Sequence, residues 1–143
     1  MASLRDLIGT ELGPTGWLDV TQERIDAFAS ATDDSQWIHV DPERAAQGPF
    51  GTTIAHGFLT LSLCVPLLAD IVPPSGGMTI NYGVNRVRFP APVPSGSRVR
   101  ARVQVASVED VPGGEQAVLL TTVEREGGEK PVCVAELVLR RYE

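Results

Sequence analysis

Cysteine, histidine and aromatic side chains are all scarce in this chain: two cysteines, two histidines and 6% aromatic residues among 143. Cys64 and Cys133 lie within apolar runs and read as buried free thiols, and a chain of this length builds a core without disulfides or metals. Excess positive charge is missing as well. The formal net charge is −6, which leaves no electrostatic footprint for nucleic acid or for an anionic membrane surface. A phosphorylated ligand would have to be met by a local cluster of arginines. No apolar stretch approaches the ~18 residues of a membrane span, because Pro66 and Asp70 interrupt the best candidate. The segment Met1 to Gly9 has too few apolar residues for a secretory signal. These absences predict a cytoplasmic protein, organised as one domain over residues 1–143, that is an enzyme or a binding module.

What is present divides into two halves. Thr21 is placed to cap a helix running to about Ala31, with Ile25, Phe28 and Ala29 as its apolar stripe. Asp41-Pro42-Glu43 has the N-cap, N1, N2 order that starts a short helix. From Gly57 to about Ile71 the chain is nearly all apolar, which predicts a helix buried in the middle of the fold and kinked or split by Pro66. Beyond it, Met78 to Phe89 reads as a strand ended by Pro90. Val99, Ala101, Val103 and Val105 alternate with Arg98, Arg100, Arg102 and Gln104 in a period of two. Ala117 to Val123 and Val132 to Leu139 are further β-rich runs between Gly-containing turns. One helix followed by consecutive antiparallel strands is an α+β arrangement. A central helix wrapped by such a sheet is the hot-dog fold.

The chemistry-bearing residues concentrate before position 60. His39 ends a polar segment dense in carboxylates, Asp33-Asp34-Ser35-Gln36-Trp37-Ile38-His39-Val40-Asp41. An imidazole beside a carboxylate supplies a proton donor and acceptor poised near neutral pH, although solvated acids around a surface histidine would read the same way. A metal held by Asp34, His39 and Asp41 is the rival reading. No further cluster of ligands supports it, so no metal is expected. His56 precedes Gly57 at the start of the apolar helix. The first N–H groups of a helix lack internal partners, and a glycine there allows a ligand oxygen to approach the backbone, as an oxyanion hole requires. A glycine needed only for packing, and a His56 with a structural hydrogen bond, are the plainer alternatives.

The stretch Ala31 to Asp41, with Asp34 five residues before His39, resembles the hydratase motif of the MaoC-like family of (R)-specific enoyl-CoA hydratases. The resemblance continues through Asp41-Pro42-Glu43-Arg44-Ala45-Ala46, Gly51 to Phe58 and Asn81 to Val93, so it covers most of the chain from about Thr21. It is similar above all to the single-domain NodN-type branch and to mycobacterial enoyl-CoA hydratases of this size. The resemblance implies a hot-dog fold and a homodimer whose sheets join, with an acyl-CoA thioester as the substrate, coenzyme A being part of that substrate and no separate cofactor. It implies that residues matching Asp34 and His39 activate one water, and that the N–H of the residue matching Gly57 binds the thioester oxygen. The implied product is a (3R)-hydroxyacyl-CoA, formed reversibly. Gln36 and His56 are expected beside the substrate, and the acyl chain is expected against Phe58, Leu61 and Val65. Two departures stand out: Gln36-Trp37 replaces the family's usual Asn-Pro, and Asp33 replaces a glycine. Asp33 is expected to point outward. Arg86 and Arg88, or Arg98, Arg100 and Arg102, are the cations that can reach CoA phosphates, though alternating arginines on a strand also describe a solvated face. A hot-dog thioesterase and a non-catalytic acyl-thioester binding module are the alternatives, which fold alone does not separate.

Overall fold

In the computed structural model, which describes residues 3–143, four long strands form an antiparallel sheet: β3 (Met78–Arg88), β4 (Ser97–Val111), β5 (Gly114–Arg125) and β6 (Cys133–Tyr142). Two short strands, β1 (Glu11–Leu12) and β2 (Leu18–Val20), both dock on β4, and the sheet order is β1-β4-β5-β6-β3. The period of two in β4 has the expected result. Val99, Ala101, Val103 and Val105 are at most 1% exposed. Across the sheet Val105 pairs with Leu119, and Leu119 with Leu137, so one apolar face runs through three strands. On the other face Arg98 bonds Glu126, while Arg100 and Arg102 both reach Glu124. This row of arginines carries its own counter-ions.

The helices are α1 (Gln22–Thr32), α2 (Trp37–Val40), α3 (Pro42–Ala46), α4 (Gly57–Ser62) and α5 (Cys64–Ala69), with one 3₁₀ turn at Leu4–Leu7. Thr21 caps α1 by accepting from Arg24 N–H, and Asp41 caps α3 by accepting from Arg44 N–H. The apolar run is split into α4 and α5 at Leu63 rather than kinked. Pro66 has no N–H to offer the Ser62 carbonyl one turn back and its ring crowds that carbonyl, so the ladder breaks there. Leu59, Leu63, Cys64, Leu67 and Leu68 pack on the sheet. A helix apolar on most sides was expected to lie in the middle of the fold, but Phe58 is 69% exposed and Val65 54%. The sheet therefore covers α4–α5 only in part.

β3 stops at Arg88, one residue before the expected Phe89, and lies at the free edge of the sheet with almost every side chain exposed. Among the described residues, no helix is long and apolar enough to cross a membrane. One hydrophobic cluster extends from Leu4 through α1, α4 and α5 to β4, β5 and β6.

Candidate functional site

α1 ends at Asp33, whose φ of 59° is left-handed. That backbone suits glycine, and among side-chain residues Asp and Asn tolerate it best. The position explains why the motif usually carries glycine here, and Asp33 is exposed, as expected. The chain then reverses through Asp34 and Ser35 into the single turn α2, which turns His39 inward to 7% exposure.

His39 is held from several directions. Its N–H donates to the Gln36 carbonyl at 3.0 Å. Its ring Nδ1 lies 2.7 Å from the Ile54 carbonyl. A carbonyl only accepts, so Nδ1 carries the proton and Nε2 of the neutral ring is left with a lone pair. Its own carbonyl accepts from Gln22 Nε2 at 2.8 Å, and Gln22 Oε1 accepts from Thr53 Oγ1 at 2.6 Å. Gln22 and the buried Thr53 were not singled out by the motif. They are ordinary polar residues at the start of a helix and in a loop, and only their meeting across 31 positions gives them meaning.

The ring of His56 stacks on that of His39 with centroids 3.8 Å apart and planes inclined by 23°. Its Nε2 donates to the main-chain carbonyl of Asp34 at 2.9 Å, and Phe28 leans on its ring at 4.8 Å. His56 Nδ1 is buried without a hydrogen-bond partner in the chain. The exposed Asp34 carboxylate completes the group: one ligand atom from each of Asp34, His39 and His56 lies within 4.8 Å of the others. Two nitrogens and a carboxylate have the donor chemistry of a divalent metal site. A shared ion must lie near both ring planes at ~2.1 Å from each nitrogen, and stacked rings inclined by only 23° do not converge in that way. Asp41, the third ligand weighed from the sequence, is instead occupied as the α3 cap.

Gly57 is the first residue of α4, and His56, its N-cap, makes no side-chain cap bond to the leading N–H groups. The space a side chain would occupy at Gly57 is filled rather than open: an added Cβ would lie 2.8 Å from the Phe89 ring. Packing therefore demands glycine here, whatever the N–H binds. Gln36 contributes its carbonyl to α2, and its side chain makes no cap bond. Trp37, standing where the motif has proline, is wedged between the Arg44 guanidinium, 4.4 Å from its ring, and Gly48.

Between α4–α5 and the inner face of β3 and β6 runs an apolar groove. It comprises two adjoining cavities of about 370 and 410 Å³ that share Cys64, Val65, Asn81, Leu137 and Leu139. Leu61 and Val65 line it as expected, whereas Phe58 packs edge-on against Phe89 instead. Of the arginines considered from the sequence, Arg86 and Arg88 have no carboxylate within ion-pair distance among the described residues.

Residues 4–127 match the family model described as the MaoC like domain. The chain is 55% identical over 142 residues to 3-hydroxyacyl-thioester dehydratase Z of Mycobacterium tuberculosis, covering 98% of this chain and 94% of that protein. It is 45% identical to nodulation protein N of Rhizobium leguminosarum, over 96% of this chain and 88% of the relative. Among solved structures, the (R)-hydratase of Aeromonas caviae superposes with a TM-score of 0.74 at 29% identity, covering 92% of this chain and 96% of the other. A family match across the site and most of the sheet, with relatives alike along nearly their whole length, places the fold and the histidine cluster together: the chain belongs to the MaoC-like domain family.

Proposed function

We propose that this protein reversibly adds water to a 2-enoyl-CoA to give a (3R)-hydroxyacyl-CoA, with His39 and Asp34 activating the water. The observation that carries the proposal is the state of His39. Its Nδ1–H is committed to the Ile54 carbonyl, which leaves Nε2 as the base, and the ring shares a cluster with the Asp34 carboxylate in which one ligand atom of each lies within 4.8 Å of the other. In the forward direction Nε2 takes a proton from water as its oxygen bonds to C3. The C2–C3 π electrons shift toward the thioester, and charge collects on the thioester oxygen. The pair then returns a proton to C2, so neither residue changes charge over the cycle. Acid–base help of this kind contributes ~10²–10⁴-fold.

Gly57 N–H at the uncapped start of α4 is the proposed donor to the thioester oxygen. A donor of this type is worth about 3 kcal/mol in the transition state. The acyl chain would lie in the groove along Leu61, Val65, Leu137 and Leu139. A thioester substrate is supported by the relative named a 3-hydroxyacyl-thioester dehydratase. The (R) assignment is supported by the (R)-specific enoyl-CoA hydratase of Aeromonas caviae, 34% identical over 105 residues. The proposal includes a homodimer, supported by the exposed apolar side chains of Phe58, Val65, Ile80, Tyr82 and Val84 on α4–α5 and the free strand β3.

The test is to give purified protein crotonyl-CoA and follow loss of the conjugated enoyl-thioester absorbance, with free thiol assayed alongside. Loss without thiol release, reduced at least ~100-fold in Asp34→Asn and His39→Ala, is the expected result. Thiol release would make the protein a thioesterase. Silence on both signals, repeated with a longer enoyl-CoA, would leave it a binding module.

A further inference from the structure

One side chain touches both members of the proposed pair. His56 holds Asp34 through its main-chain carbonyl at 2.9 Å, and its ring lies on the ring of His39 at 3.8 Å. His56 is itself well fixed: it is 3% exposed, it is the N-cap residue of α4, and its carbonyl accepts from Thr60 N–H. Asp34 is not. It lies between α1 and α2 in a segment without regular structure, and its side chain is exposed. Outside the helices and strands, the His56 bond is the one hydrogen bond that reaches Asp34 or Ser35 among the described residues. A segment so lightly tied would leave the carboxylate free to drift relative to the His39 ring.

Resting on the hydratase reading, we propose that His56 is a positioning residue that sets the distance between the Asp34 carboxylate and His39, so that both face the same water. It works through two separate arms. The Nε2–H arm pins the Asp34 backbone to the start of the core helix. The ring arm supports His39 face-on, and it presents a π face to the imidazolium that forms when His39 takes the proton from water. Neither arm needs His56 to exchange a proton.

The arms can be cut one at a time. His56→Phe keeps an aromatic ring between Phe28 and His39 but has no N–H for Asp34. His56→Gln keeps an N–H near the Nε2 position and loses the ring. A misplacement of about 1 Å at a reacting group costs on the order of a hundredfold. His56→Phe is therefore expected to lose ~100-fold in kcat with KM within about threefold of wild type. His56→Gln is expected to lose about tenfold, since only the ring arm is cut. Amide hydrogen exchange supplies a readout independent of turnover: the hydrogen-bonded amides of His39 and Asp41, which close α2 just after Asp34, should exchange faster in His56→Phe and stay near the wild-type rate in His56→Gln.

Wild-type kcat and unchanged exchange in His56→Phe would overturn the proposal. So would losses in both variants that appear only as a smaller folded fraction, with kcat per folded molecule preserved. If the wild-type protein fails to hydrate any enoyl-CoA, the hydratase reading falls. The exchange comparison then still decides whether His56 pins Asp34.

Discussion

Gln22→Met tests whether the site is supported from behind. Methionine has nearly the shape of glutamine, so the packing of α1 is preserved while two inward hydrogen bonds disappear, the one to the His39 carbonyl at 2.8 Å and the one from Thr53 Oγ1 at 2.6 Å, along with an exposed one to Asp26 Oδ1 that water replaces. Each is worth about 1 kcal/mol net. The Thr53 hydroxyl, on a residue 2% exposed, is left unpaired and adds roughly 1 kcal/mol. The expected loss is about 2–3 kcal/mol, a fall in Tm of roughly 6–10 °C for a domain of this size. Thr53→Val alone should cost about 1–2 kcal/mol, because it strands Gln22 Oε1. The double variant removes both partners of one bond and should be less destabilised than the sum of the singles by about 1 kcal/mol. Urea unfolding at one fixed protein concentration measures all four forms, and a constant slope confirms that the unfolded states are comparable. If the two costs add to within about 0.3 kcal/mol, Gln22 and Thr53 are not coupled and Thr53 does not hold Gln22 against the His39 carbonyl.

Two further outcomes follow from single residues. Asp33→Gly should raise stability by about 0.5–1 kcal/mol in thermal melts, since φ is 59° there and glycine carries no Cβ penalty; a lower Tm would mean that the Asp33 side chain contributes more than its strain costs. Cys64 and Cys133 should both resist a thiol-reactive dye in the native protein and react once it is unfolded, because both are buried. The hydrogen bond with Cys133, followed by burial, also pushes the Cys64 thiol well above the ordinary thiol range. Stoichiometric labelling of folded protein within seconds would show that α5 opens readily from β6.

Periodicity made β4 legible, because from Arg98 to Val105 one of its faces is apolar and the other polar, a contrast that survives any tertiary context. The caps at Thr21 and Asp41 were legible for the same reason: each bond is made within three residues. The break at Leu63 was foreshadowed by Pro66, but the open side of α4–α5 was not. Phe58 and Val65 are as apolar as Leu59 and Leu63, and composition does not say which side of a helix the sheet covers. β1 and β2 are two and three residues long and carry no periodic signal. Within the site, Asp34, His39 and His56 stood out by chemistry and spacing. Their mutual geometry did not, because His56 reaches Asp34 across 22 positions and Gln22 reaches Thr53 across 31. Gly57 was read both as room for a ligand at its N–H and as a packing glycine; the packing partner, Phe89, lies 32 residues away and was not legible.

The groove walls and the Asp34–His39–His56 cluster come from different stretches of chain. Asp34, His39 and His56, with their supports Gln22, Thr53 and Ile54, all precede the core helix. The groove is built by Leu61, Cys64, Val65 and Leu68 on that helix together with Asn81, Val84, Leu137 and Leu139 on β3 and β6. Mutation can therefore lengthen, shorten or plug the groove without disturbing the bonds that hold the histidines. Descendants of one ancestral chain can diverge in the acyl groups they accept while keeping one chemistry. A designer can likewise randomise the groove positions as a library, with the reactive cluster left as a constant.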